Sequence, residues 1–218
     1  VVDENNVLLG RITIDDVVDI IREQADYQVL SAAGVSEDES LFSPVLRAFK
    51  GRITWLGVNL CTAFLAASVV GRFEAALEAI VALAVLMPIV AGLGGNAGTQ
   101  VLALMVRGIA LGQVSSANLR TLVWKEVRIA VMNGVLLGAV VGAVTFVWFG
   151  SAGIAAVIFG AMVINLFCAA MAGVLVPITL KRLNIDPAVA GSVFLTATTD
   201  IMGFFAFLGL ATVFLLQG

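Results

Sequence analysis

Histidine is absent from the 218 residues, which removes imidazole from every mechanism open to the chain. There is no histidine-ligated zinc, no serine–histidine nucleophilic pair and no histidine proton relay. Cysteine is nearly as scarce. Cys61 and Cys168 lie in apolar segments without CxxC spacing and read as buried free thiols. Charge is thin as well, at 12% of residues where soluble domains carry about 25%. The 12 basic residues form no cluster large enough to neutralise several phosphates, so no nucleic-acid footprint is expected.

What fills the chain instead is apolar. Hydrophobic residues make up 61% of it and the mean hydropathy is +1.08, which describes a protein whose solvent is lipid. Ten of the fifteen acidic residues fall before Ser40, ahead of a long apolar remainder. That remainder holds uncharged runs at Ile53–Val70, Ala79–Val106, Ile129–Phe149 and Ala152–Leu180, and a fifth, from Ala188 to Leu216, interrupted only by Asp200. Each reaches or nearly reaches the roughly 18 to 20 residues needed to span a bilayer. The fold expected is therefore an all-α membrane protein with five transmembrane helices.

Lys and Arg collect on one side of these spans. Arg47, Lys50 and Arg52 precede the first, Arg107, Arg120, Lys125 and Arg128 separate the second from the third, and Lys181 and Arg182 follow the fourth; only Arg72 falls on the other side. Nine against one predicts a cytoplasmic N-terminus and, after five crossings, a C-terminus outside.

The polar front begins as if in the middle of something. Val7 to Ile14 alternates like a strand after the turn-like DENN, and Thr13 opens a helix with Asp16 three positions on as a capping box. A lone strand cannot bury itself, so this segment is expected to be the tail of a larger soluble domain. The helix carries Asp15, Asp16, Asp19, Glu23 and Asp26 at spacings of three and four. Such a row is either a solvated face or a divalent-cation sensor whose carboxylates are drawn together by a bridging metal. Residues 35–52 read as a linker and a short juxtamembrane helix.

Two features within the membrane carry chemistry. The second span contains PIVAGLGGNAGTQ, in which Pro88, Gly92, Gly94, Gly95 and Gly98 precede or surround the polar Asn96, Thr99 and Gln100. Such a segment either packs very closely or unwinds, and its amides are best satisfied lining a wet cavity or bonding another helix. In the fifth span Asp200 lies roughly 18 Å down the helix, near the middle of a hydrocarbon core about 30 Å thick, where a carboxylate needs a partner, water or a passing cation. Asp186, followed by Pro187, is a good N-cap. Fourteen residues at about 100° each bring Asp200 to within roughly 40° of Asp186, and Thr196 falls on the same stripe. These three describe one wall of a cation path. Asn59, Asn133 and Asn165, one each in the first, third and fourth spans, read either as interhelical hydrogen bonds, the favoured reading, or as pore-lining groups.

Together, PIVAGLGGNAGTQ, DPAVAGSVFLTATTD, the five spans and the GRITIDDVVDII front resemble the MgtE magnesium channel family over essentially the whole chain. The resemblance implies a homodimeric magnesium channel of the plasma membrane, in which Mg²⁺ is both transported and regulatory. Residues 1–12 would be the end of a CBS domain, 13–34 the acidic connecting or plug helix, and 53–218 the pore domain. Carried over by motif, Asp200 is the pore aspartate, Asp186 the aspartate at the cytoplasmic mouth, and Asn96 the asparagine of the glycine-rich pore segment beside Gly94, Gly95 and Gln100. Asp16 and Asp19 match metal-binding positions of the helix that closes the pore.

The residues agree with this. Magnesium gives up water reluctantly, so few carboxylates facing a hydrated ion suit its passage, and a two-fold axis would pair two copies of Asp200 across one pore. Like carboxylates so placed stay charged only around a cation or abundant water. An enzyme is not expected: an intramembrane aspartyl protease needs two aspartates at one depth, and Asp186 lies about four turns from Asp200. The alternative is a proton-coupled transporter of another substrate.

Overall fold

The computed structural model describes residues 7, 10–32, 35, 42–115 and 117–216. It divides into two compact units, Val1–Ile53 and Thr54–Gly218. In chain order the described helices are α1 (Ile14–Ala32), α2 (Val45–Gly71), the short α3 (Glu74–Ala79), α4 (Ala82–Ala110), α5 (Leu119–Phe149), α6 (Ala152–Arg182) and α7 (Pro187–Ala211). A π-helical turn, Thr212–Leu216, extends α7. Five of these, α2 and α4 to α7 with its extension, are long and apolar enough to cross a membrane.

The first unit follows the capping logic of its sequence. Thr13 donates from its backbone N–H to Asp16 Oδ2 at 2.6 Å and from its hydroxyl at 2.8 Å, and α1 starts one residue later. The strand expected over Val7–Ile14 is not found: residues 7 and 10–13 are irregular and Ile14 is already helical. The described residues hold no second strand to pair with it, and an isolated strand leaves its hydrogen-bonding groups unmet. The DENN turn lies outside the described residues. Among the described residues no separate juxtamembrane helix forms either. α2 begins directly after Pro44 and runs unbroken through the first apolar segment.

In the second unit α6 is the central helix, packed against α5, α4 and α7. Gly134, Gly138 and Gly142 recur every four residues along α5. A Cβ on any of them would come within 3.0 Å of Val163 Cα, 3.2 Å of the Phe159 carbonyl oxygen or 3.2 Å of the Ala155 carbonyl oxygen. Small residues at this spacing bring two backbones together where lipid offers no hydrophobic drive to do so. On the other flank Leu83, Leu86, Ile158, Met162, Leu166, Phe207 and Leu208 join α4, α6 and α7 in one buried cluster.

The connections are short and capped. Gly150, at φ +65°, closes α5 with its N–H on the Phe146 carbonyl, and Ser151 then accepts from the Ile154 N–H to start α6. Asn184, at φ +56°, turns the chain out of α6.

Two expectations about the spans need correction. The second span does not unwind. α4 is helical from Ala82 to Ala110 with Pro88 inside it, because close packing takes up two of its glycines. Nor are the cysteines buried. Both are free, but Cys61 is exposed on α2 and Cys168 is half-buried, so their apolar surroundings include the lipid-facing surface of the helices.

Candidate functional site

The site begins with how α4 sorts its glycines. Gly94 and Gly98 face inward: a Cβ on Gly94 would run into the Asn165 amide, and one on Gly98 would come within 2.8 Å of Leu195 Cδ1. Gly92 and Gly95 have nothing within 4 Å of an added Cβ. Asn96, Thr99 and Gln100 are exposed along with Gly92, so the polar residues and the open glycines share the outward part of the helix. Gly94, assigned to a pore lining from its motif, is buried and packs against Asn165.

α7 is set against α4 by two close approaches, Gly98 with Leu195 and Leu102 with Gly191. These pairs run in opposite directions along the two helices, which are therefore antiparallel. Five positions on from Leu195, Asp200 stands level with Leu93, within a turn of Asn96.

Asn165 of α6 locks this level in place. It is fully buried, its Nδ2 donates to the Val90 carbonyl at 2.8 Å, and a Cβ on Gly203 would come within 2.7 Å of that nitrogen. One carboxamide thus fills the notch that two glycines leave between three helices. Among the described residues its Oδ1 has no partner. The interhelical role expected of Asn165 holds. Asn59 is exposed and Asn133 borders a cavity, so neither repeats it.

Asp200 is half-buried, and among the described residues it has neither a hydrogen bond nor an ion pair. It marks a boundary on its own stripe. Thr196, one turn before it, is exposed, whereas Phe207, seven residues beyond and within roughly 20° of the same direction, is fully buried. Thr196 donates its hydroxyl to the Ser192 carbonyl at 2.9 Å, which leaves oxygen lone pairs facing outward. At the N-terminal end of the stripe Asp186 is exposed and caps α7, its Oδ1 accepting from the Ala188 N–H at 2.8 Å. Asp16 and Asp19 are exposed on α1, in the other unit.

Among the described residues no three Asp, Glu or Cys side chains gather closely enough to hold a bare metal ion. One chain therefore offers Asp200 as a single carboxylate with the Thr196 hydroxyl one turn away on the same helix, a sparse oxygen set of the kind that suits a cation keeping its water.

Sequence reasoning passed over Glu126. It is an acid buried to 8% exposure inside α5, ion-paired to Lys125 at 3.2 Å. Its surroundings, Arg120, Lys125 and Arg128, read as a basic loop before a span starting at Ile129, whereas α5 in fact starts at Leu119. The signal available was its spacing: Glu126 and Asn133 are seven residues apart, two turns along one helix face.

Comparison with known proteins shows the family. Residues 87–210, which hold both the α4 glycines and Asp200, match the MgtE family model, described as a divalent cation transporter. The chain is 33% identical over 215 residues to the magnesium transporter MgtE of Bacillus subtilis, covering 99% of this chain and 48% of that protein. It is 32% identical over 215 residues to the magnesium transporter MgtE of Enterococcus faecalis, covering 99% and 47%. For the Thermus thermophilus magnesium transporter MgtE the figures are 29% over 217 residues, covering 99% and 48%. The chain thus spans about half the length of the curated relatives it matches.

Proposed function

The chain belongs to the MgtE family of divalent cation transporters, and from that premise we propose that it conducts hydrated Mg²⁺ down its electrochemical gradient through a homodimeric pore. α4 and α7 of two copies line the pore, with Asp200 as the residue that holds the ion. The observation that carries this reading is Asp200 itself: a half-buried carboxylate, the one formal charge in α7, without a partner among the described residues. A charge so placed is expensive in lipid unless water and a counter-ion reach it.

The roles divide by geometry. Asp200 attracts the ion and accepts hydrogen bonds from its waters, while Asn96 and the outward lone pairs of Thr196 receive the remaining shell. Gly92 and Gly95 keep the wall of α4 low, so that a hydrated ion passes without stripping. Asp186, at the mouth of the same stripe, raises the local cation concentration as well as capping its helix. Gln100 extends the polar wall. In this reading the protein sits in the plasma membrane with α1 in the cytoplasm, where Asp16 and Asp19 bind regulatory Mg²⁺ at the end of a CBS region.

Magnesium flux into proteoliposomes tests the assignment. Asp200→Ala is expected to abolish uptake while the protein still inserts and elutes as the native chain does. Native uptake by that variant would return Asp200 to a structural role.

A further inference from the structure

A cavity of about 150 Å³ lies between α4, α5 and α6, on a different side of α4 from the α7 contact. Its polar lining comes from the buried Glu126, from Lys125 and from Gln100 and Asn133, both exposed, and its walls are apolar, Leu104 and Leu166 among them. Glu126 is 8% exposed, whereas the Lys125 side chain paired with it is 59% exposed. The carboxylate is therefore fixed in the wall, and the ammonium, with most of its stem in the open, is free to swing away.

The donor set is all oxygen: a carboxylate and two carboxamide carbonyls, with no sulfur or imidazole. That selects a hard cation. The space is too large for a bare ion. At about 30 Å³ per water it admits roughly five water volumes, which suits a small divalent ion that keeps most of its shell. Lys125 neutralises Glu126 where the two are paired, so the carboxylate attracts a cation once the exposed ammonium has swung out.

We propose that this cavity is a second divalent-cation site, in which Glu126, Gln100 and Asn133 hold a hydrated magnesium-like ion through its water and Lys125 competes for the carboxylate. Gln100 lies one turn from Asn96 on nearly the same side of α4, so the second site adjoins the wall assigned to the pore. The site stands on its own donor set; only its part in transport rests on the function proposed above.

Mn²⁺ bound to the purified full chain, counted by electron paramagnetic resonance and displaced with Mg²⁺, tests it. Asp200→Asn should keep a class of bound Mn²⁺ that Glu126→Gln loses, and Glu126→Gln should keep the class that Asp200→Asn loses. An unchanged Mn²⁺ count in Glu126→Gln would overturn the site. Loss of the Asp200 class, or its absence from the start, bears on the pore assignment alone. Lys125→Gln provides a second reading should Glu126→Gln fail to fold. Removing the competing ammonium should tighten Mn²⁺ binding by roughly fivefold, the size of an exposed ion pair, and unchanged or weaker binding would overturn the proposal.

Discussion

At the scale of single residues, Asp200 and Asp16 show how differently two carboxylates can be used. Asp16 is fully exposed, and the Thr13 N–H and hydroxyl hold its carboxyl below the usual carboxylate range. A depressed folded value means that the cap contributes fully above the unfolded value of about 3.9, and that its contribution is lost as pH falls through the lower folded value. Carboxyl titration by nuclear magnetic resonance should therefore find the Asp16 midpoint below about 3.9, with Thr13→Ala raising it only part of the way, because alanine keeps the backbone N–H that lowers it most. In the function proposed above, Asp200 instead acts on an ion and Asn96 assists. Asn96→Ala is expected to lower magnesium flux or its selectivity while leaving more uptake than Asp200→Ala; unchanged currents would return Asn96 to a packing role. Asp200 stands out in the sequence because it is the one formal charge in the 29 residues from Ala188 to Leu216. Glu126 does not, because a charge beside three cations near a span boundary looks the same whether it faces solvent or a cavity.

At the scale of elements, the spans were legible because length and lack of charge suffice to define them. The use of each glycine was not, because it depends on the neighbour that meets it. Along α4 the two kinds alternate within seven positions, and the contrast can be measured. Gly98→Ala and Gly173→Ala add a methyl where Leu195 Cδ1 lies at 2.8 Å, or where Val101 Cβ lies at 2.7 Å and the Gly98 carbonyl oxygen at 3.0 Å. The leucine can turn aside, whereas the carbonyl oxygen of α4 cannot move without the helix. Gly173→Ala should therefore be the worse of the two, costing about 1–3 kcal/mol by overpacking. Gly92→Ala and Gly95→Ala meet nothing, and the lower backbone entropy of alanine should leave stability equal or higher by up to about 1 kcal/mol. Thermal unfolding of the detergent-solubilised variants checks the order. If Gly92→Ala also narrows the ion path, it will reduce flux in a protein of undiminished stability, a combination that a packing glycine would not produce.

At the scale of the whole molecule, the surfaces of the second unit are of two kinds that lipid cannot treat alike. α5 presents Met132, Leu136, Val140 and Val144, and α2 presents Leu56, Leu60 and Phe64, with Ala66 as its only buried residue. Hydrocarbon covers such faces at no cost. The outward part of α4 is different, since the exposed amides of Asn96 and Gln100 gain no hydrogen bond from lipid and each unmet polar group costs several kcal/mol there. Water and a second copy meeting along this face would remove that penalty and pair the two Asp200 carboxylates around one ion, as two-fold symmetry allows. In a background with Cys61 and Cys168 replaced by serine and alanine, Gly92→Cys is therefore expected to be joined between two chains in native membranes by a bifunctional thiol reagent long enough to span a hydrated-ion path, since a direct disulfide needs Cα atoms within about 7 Å, and Met132→Cys to remain monomeric on a denaturing gel. Cross-linking through Met132→Cys with none through Gly92→Cys would place the contact between copies on α5 and leave α4 without the partner that the pore requires.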